Sequence, residues 1–376
     1  MKIGIFTHNY PEDDDDRKNA GVFVNDFAKK LATRHSVFVF CPDDKDLTEK
    51  RDGVVIHRFG WNGTLKKLGN WRLFSPLSLF FFIKLIWVGS KKAINFTKDN
   101  KLDYCLAAWS LPSAIFTYWV KRRLDIKYGV WNLGSDINFY SKIPILKQII
   151  YLSLVNADNL FANSYYLSGK VNYLTGKKCV FLPAVTDFVR AKNVDLIRNN
   201  KIPTFLYIGR LEKVKGPDLL VEASKTMKMN GVSFRLNILG GGGMLNKLKR
   251  MVNKYSLSSN VIFDGWADKK RVADFMKKSD ILIIPSRSES FPLILIEAAK
   301  FNLPVVVSRV GDCSRVVKKY NIGLSFETGN ILELAGIMIN FARTGKINID
   351  RKGFGKMLET YSLDKSVLTF EEEISK

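Results

Sequence analysis

The feature that most restricts this chain is an alternation, run through twice, of short apolar segments with longer stretches of helical period. In the first half the short segments fall at 2–7, 36–40, 54–58, 103–107, 127–131, 159–162 and 179–182. In the second they fall at 204–208, 235–239, 261–263, 281–285, 304–307 and 324–326. Helical patterns separate them, among them 22–33, 217–229, 244–255, 269–278 and 291–301. Strands that read as nearly unbroken Val, Ile and Leu are buried on both faces, which calls for parallel sheets covered by helices on either side. The pattern predicts an α/β protein of two doubly wound, Rossmann-like domains, and 376 residues are ample for two such cores. Residues 187–203 are polar, lack a clean period and precede a fresh strand, so they read as the linker. The expected domains are 1–190 and 191–360.

Charge narrows the partners. The chain holds 59 Lys plus Arg against 36 Asp plus Glu, a formal charge of +23. The excess is even, with 28 basic against 17 acidic residues up to 190 and 31 against 19 beyond it, so there is no basic tail. No nucleic-acid module is visible, and nucleic acid is not an expected partner. Residues 53–98 contain no acid at all, yet hold Lys66, Lys67, Arg72, Lys84, Lys91 and Lys92 among Trp71, Phe74, Phe80, Phe81, Phe82 and Trp87. The most apolar part, 73–88, is interrupted by Pro76 and Lys84 and is shorter than the roughly 20 residues of a spanning helix. Such a segment suits an interfacial helix on an anionic membrane; the alternative is a buried helix with a basic rim. Cys41, Cys105, Cys179 and Cys313 are far apart and support neither a disulfide framework nor a zinc site. The opening residues read as a first strand rather than a cleavable leader, and a cytoplasmic chain, peripheral at the inner membrane face, is expected.

Ligands of doubly wound sheets sit outside the carboxyl ends of the strands, so the residues just after each strand carry the chemistry. After 204–208 come Gly209, Arg210 and, five residues on, Lys215 and Gly216. Arg210 can grip a phosphate with two N–H groups, and Lys215 can add a point charge. After 235–239 four glycines, Gly240, Gly241, Gly242 and Gly243, precede a helix from about Met244, an arrangement that lets backbone approach an anion. After 281–285 comes Ser286-Arg287-Ser288-Glu289-Ser290-Phe291-Pro292, then an apolar helix carrying Glu297. Ser290 is the expected cap of that helix and Pro292 its first turn. A carboxylate inside an apolar helix needs a partner, either a ribose diol or a nearby Lys or Arg.

The spacing Glu289-x7-Glu297, with Ser-Phe-Pro between, resembles the E-x7-E motif of retaining glycosyltransferases of family 4, which have the GT-B fold. The loop 209–216 resembles that family's G-R-L-x(n)-K-G element. The resemblance implies two Rossmann-like domains facing an interdomain cleft, with 361–376 crossing back onto the first. It implies a nucleoside diphosphate sugar as donor. Arg210 and Lys215 would neutralise the diphosphate, Glu289 would meet the transferring sugar, and Glu297 would hold the ribose. Gly209, Ser290, Phe291, Pro292, Gly241 and Gly242 would line the donor site. No cofactor and no metal are implied, because the cations and helix termini stabilise the leaving group. The acceptor would be a lipid-linked saccharide or oligosaccharide of a surface polysaccharide. Gly311-Asp312-Cys313-Ser314-Arg315 departs from the usual G-G-x-x-E, and nothing is assigned to it.

In the first half, 7–11 and Gly21 resemble the family's first loop, although Ala20 stands where a second glycine is usual. Residues 107–112 and 131–137 resemble H-W-x-L-P and H-G-S-D segments whose histidines are replaced by Ala108 and Leu133. Asn132 and Asp136 remain as polar candidates on the acceptor side. The run Asp13 to Asp16 could bind a divalent metal but reads more naturally as a solvated loop tip. Two rivals to the transferase reading are a sugar-nucleotide epimerase of the same fold and a catalytically reduced sugar-nucleotide or membrane-binding partner protein, the latter prompted by the missing histidines.

Overall fold

A computed structural model describes residues 1–12, 21–61, 76–188 and 200–376. The chain divides into one unit formed by Met1–Asp187 with Ser362–Lys376, and a second formed by Phe188–Tyr361. The run Asp13 to Asp16, and most of the expected linker, lie outside the described residues.

In the first unit, β1 (Lys2–Phe6), α1 (Val22–Leu31), β2 (Ser36–Asp43), β3 (Leu47–Arg51) and β4 (Val54–Gly60) are followed by α2 (Pro76–Asn100) and β5 (Tyr104–Ala108). Then come α3 (Ser113–Leu124), β6 (Tyr128–Asn132), α4 (Ser135–Asn138), α5 (Pro144–Val155), β7 (Asn159–Ala162), α6 (Tyr165–Thr175) and β8 (Cys179–Phe181). The sheet order is β3-β4-β2-β1-β5-β6-β7-β8. All neighbours are parallel except β3 on β4. Strand β3 is an addition to the sequence reading. Its residues Leu-Thr-Glu-Lys-Arg are mostly exposed at the sheet edge, so no apolar alternation marks it. Its signal is the following Asp52-Gly53, both at positive φ, the dipeptide of a tight hairpin turn.

The second unit runs β9 (Thr204–Ile208), α7 (Pro217–Met229), β10 (Arg235–Leu239), α8 (Leu245–Lys254), β11 (Val261–Gly265), α9 (Lys269–Lys278) and β12 (Ile281–Ile284). It ends with α10 (Leu293–Lys300), β13 (Val305–Ser308), α11 (Cys313–Tyr320), β14 (Gly323–Phe326), α12 (Ile331–Thr344) and α13 (Arg351–Thr360). Its six strands are parallel in the order β11-β10-β9-β12-β13-β14, the doubly wound Rossmann arrangement. β9, β12 and β13 carry Phe205, Leu206, Leu282, Ile283 and Val306 at essentially zero exposure, as central strands covered on both faces must.

After the second unit the chain returns to the first as α14 (Leu363–Ile374). Phe370 packs among Phe27, Tyr104 and Phe161 at ring distances of 5.6, 5.8 and 5.6 Å. Each unit is therefore a Rossmann-like α/β domain. Among the described residues no helix is long and apolar enough to cross a membrane.

Candidate functional site

In the second sheet the strand order reverses between β9 and β12, and a doubly wound sheet opens its ligand crevice at such a point. The loop after β9 and the loop after β12 both leave from there, and their backbones touch. Gly216 has φ +68°, and a Cβ on it would lie 2.0 Å from the Pro285 carbonyl oxygen, so only glycine fits. Arg287 fastens the same two loops. Its guanidinium donates to both Asp218 carboxylate oxygens, at 2.7 and 2.8 Å, and to the Lys213 carbonyl at 2.7 Å. Its backbone N–H donates to the Val214 carbonyl at 2.8 Å. Burial pushes the Asp218 carboxyl up, but the hydrogen bonds and charge of Arg287 outweigh it and hold the carboxyl below its usual value.

This frame brings Lys215 and Glu289 together. The Lys215 ammonium is hydrogen-bonded to Glu289 Oε1, which also accepts from Ser286 Oγ at 3.3 Å. The Glu289 side chain is only 13% exposed and that of Lys215 26%. Two charges 74 residues apart in sequence therefore form one half-buried pair at the switch point. Arg210 stands further out, half exposed, with Nη1 3.0 Å from Glu212 Oε1. Buried Tyr207 donates its hydroxyl to the Arg210 carbonyl at 3.0 Å and so shapes the turn.

The glycine run lies against that turn, and packing explains two of its members. Gly240 and Gly242 have φ +134° and +152°; a Cβ on the first would meet the Gly209 carbonyl at 1.9 Å, and on the second the Leu211 backbone within 3 Å. A Cβ on Gly241 would meet the indole Nε1 of half-exposed Trp266, which follows β11, at 2.5 Å. Gly243 has open space around it.

Three sequence expectations change. Ser290 does not cap α10. Pro292 is its N-cap residue, in an extended conformation, and the helix begins one residue later than Pro292. Proline fixes that extended entry without any side-chain cap bond. The Phe291 ring is stacked on Tyr361 at 4.7 Å, inside the fold, so its backbone alone is left for a ligand. The Ser290 carbonyl accepts from the Asp312 N–H at 3.1 Å, and Gly311 packs its Cα face on the carbonyls of Glu289 and Ser290. The segment to which no role was assigned is thus the backing of the Glu289 loop. Glu297 is buried in the second turn of α10.

The first sheet reverses between β1 and β5. Gly21 precedes α1 there, and a Cβ on it would lie 1.9 Å from the Asn9 carbonyl oxygen. Asn132 and Asp136 are at the neighbouring edge, but both are buried. Asp136 accepts from the N–H groups of Gly134, Ile137 and Ser110 at 2.9, 3.1 and 2.9 Å and from Ser110 Oγ at 3.2 Å. Ser110 Oγ also donates to Asn132 Oδ1 at 2.7 Å, and Asn132 Nδ2 to the Phe161 carbonyl at 3.0 Å. These two buried residues hold the loops after β5 and β6 in place. Burial still raises the Asp136 carboxyl above its usual value, the backbone and Ser110 hydrogen bonds only partly offsetting it.

His8, which replaces neither of the histidines missing at Ala108 and Leu133, follows β1 at this switch point. Its ring meets Trp109 edge-on at 4.7 Å. Nδ1 is shut off from solvent and has no hydrogen-bond partner among the described residues. Burial pulls its pKa from 6.5 to about 4. Among the described residues no group of three or more His, Cys, Asp or Glu could hold a metal ion.

Residues 189–350 match the family model described as "Glycosyl transferases group 1". An uncharacterized glycosyltransferase of Methanocaldococcus jannaschii is 24% identical over 63% of this chain and 64% of its own length, so the match spans somewhat less than two thirds of that relative. The N-acetyl-alpha-D-glucosaminyl L-malate synthase of Bacillus anthracis is 24% identical over 76% of this chain and 77% of its own. Among solved structures, HepE of Anabaena in complex with UDP superposes with a TM-score of 0.75 at 15% identity, covering 100% of both chains.

Proposed function

We propose that this chain is a retaining glycosyltransferase that takes a sugar from a nucleoside diphosphate sugar and passes it to a lipid-linked saccharide in surface polysaccharide assembly. The observation that carries the reading is the meeting of Lys215 with Glu289 at the switch point of the sheet, beside Arg210. The matched family segment contains all three residues, and the related Anabaena fold binds UDP.

Departure of a nucleoside diphosphate leaves negative charge on the phosphate oxygens, and cations already in place stabilise it most. Lys215 is held in place by Glu289, and the Arg210 fork suits two phosphate oxygens. On donor binding, phosphate oxygens replace Glu289 and Glu212 as partners of these cations. Glu289 is then released toward the transferring sugar, and Glu297 accepts from the ribose hydroxyls. In this scheme the cations do what a metal would do, and the departing phosphate oxygen takes the acceptor proton. The reaction then needs no histidine at Ala108 or Leu133. Asn132 and Asp136 act by holding the acceptor-side loops. A lipid-borne acceptor accords with α2, where Leu79, Phe80, Ile83 and Trp87 are exposed within a segment free of acidic residues.

The test is a panel of nucleotide sugars, scored by donor hydrolysis and by the anomeric configuration of product, with chelator present. Lys215→Ala and Glu289→Ala should each cost at least about 100-fold in kcat, the scale of one transition-state electrostatic contact. Full turnover by both variants, or an inverted product, overturns the reading.

A further inference from the structure

The acid-free segment 53–98 has a counterpart. Residues 137–157 also contain no Asp or Glu, and they hold Lys142 and Lys147. They form the end of α4, a short 3-10 turn at Tyr140–Lys142, and α5. α5 buries Leu146, Ile150 and Leu154 against its own unit. Its other side carries exposed apolar residues next to Lys147 and Gln148: Ile145 is 74% exposed, Tyr151 and Leu152 are exposed too, and so is Phe139 just before the 3-10 turn. Water is a poor partner for so much apolar surface in one place.

Topology puts this surface beside that of α2. The sheet order carries the chain from β4 to β5, β6 and β7 in a single direction, and right-handed crossovers then place α2, α3 and α5 on one sheet face. α2 packs on α3, and α3 on α5. Each helix starts at the carboxyl end of the preceding strand. The N-terminal turns of α2 and α5, with Phe80, Ile83, Phe139 and Ile145, therefore lie toward the edge where a doubly wound sheet binds its ligands.

We propose that α5, with the turn before it, joins α2 in one docking face for an anionic lipid bilayer; the proposal rests on the reading of a lipid-borne acceptor. The charge pattern selects that occupant. Lys91, Lys142 and Lys147 are exposed on elements whose two segments carry no acid, and the Lys91 ammonium lies 6.0 Å from the centre of the Trp87 ring, whose indole is 68% exposed. Apolar and aromatic side chains enter the interface while lysines meet anionic headgroups. Lys92 is not part of this set: its ammonium is matched by the Asp46 carboxylate at 2.6 Å.

The full chain is sedimented with phosphatidylcholine vesicles, with and without phosphatidylglycerol, at low and raised salt. Binding is expected only with phosphatidylglycerol and weaker in salt. Lys142→Gln and Lys147→Gln should each weaken it about five-fold. Ile145→Asp should weaken it at least roughly ten-fold, since an apolar side chain must leave the interface. Trp87→Ser should act in the same direction. All four should keep native donor hydrolysis, which reports on the transferase reading separately. Native vesicle binding by Ile145→Asp and by both lysine variants removes α5 from the face. No binding to either vesicle by the wild type, or self-association blocked by Ile145→Asp in its place, overturns the membrane as occupant.

Discussion

At the scale of single residues, what decides each role is whether the polar atoms have been used up by the fold. Asp136 and Asn132 stand where acceptor contacts were expected, yet both are buried and bonded to Ser110, to the backbone of the loop after β6 and, for Asn132, to the Phe161 carbonyl of β7. Spacing alone could not show that, since a buried, bonded carboxylate and a ligand-facing one have the same letter. His8 shows the converse. It replaces neither missing histidine of the acceptor-side segments, but its Nδ1 is shut off from solvent with no partner among the described residues, and its pKa falls to about 4. Between about 4 and 6.5 the unfolded chain binds a proton that the folded chain does not. The first unit should therefore keep its full stability above pH 6.5 and lose on the order of 3 kcal/mol as pH falls to about 4. Urea unfolding on both sides of this window should show the loss in the wild type and a much smaller one in His8→Gln. Equal losses in the two proteins would place the acid sensitivity elsewhere.

At the scale of elements, loops and their fastenings make the site. Lys215 and Arg210 stood out in the sequence as cations after a strand, and Glu289 by its spacing to Glu297. Their fastening did not. Asp218 reads as an ordinary acidic residue in the first turn of α7, and Arg287 as one more basic loop residue, until the two-pronged contact joins them. Lysine cannot reproduce that fork. Arg287→Lys should lower the unfolding free energy of the second unit by about 1–2 kcal/mol and weaken nucleotide binding, by calorimetric titration, while leaving Lys215, Glu289 and Arg210 themselves unaltered. Unchanged affinity would mean that Gly216 and the backbone alone hold the two loops in register. The glycine run after β10 was legible as a close approach of backbone. For Gly240 and Gly242 the thing approached is the loop after β9, because the two turns stack at adjoining strand ends.

At the scale of the whole molecule, the last helix closes the first unit rather than extending the second. Phe370 supplies one ring of an aromatic cluster with Phe27, Tyr104 and Phe161, and Ser366 Oγ donates to the Pro183 carbonyl at 2.9 Å. Phe370→Ala should destabilise the first unit by about 3–5 kcal/mol and leave the second unit's melting in place, as calorimetry with two resolved transitions would show. A shift confined to the second transition would contradict this division. The sequence by itself determined the two doubly wound sheets apart from the antiparallel edge strand β3, because period and strand composition are local and each apolar run has one way to be covered on both faces. It also determined which loops follow the strands that meet at the switch points, since those come in order along the chain. Only the tertiary structure decided that Lys215 meets Glu289, that Asn132 and Asp136 are buried, that His8 Nδ1 is shut off from solvent, and that α2 and α5 lie on one face of the first sheet. Each of these depends on residues far apart in sequence, whose proximity comes from strand order and crossover handedness, which no local pattern encodes.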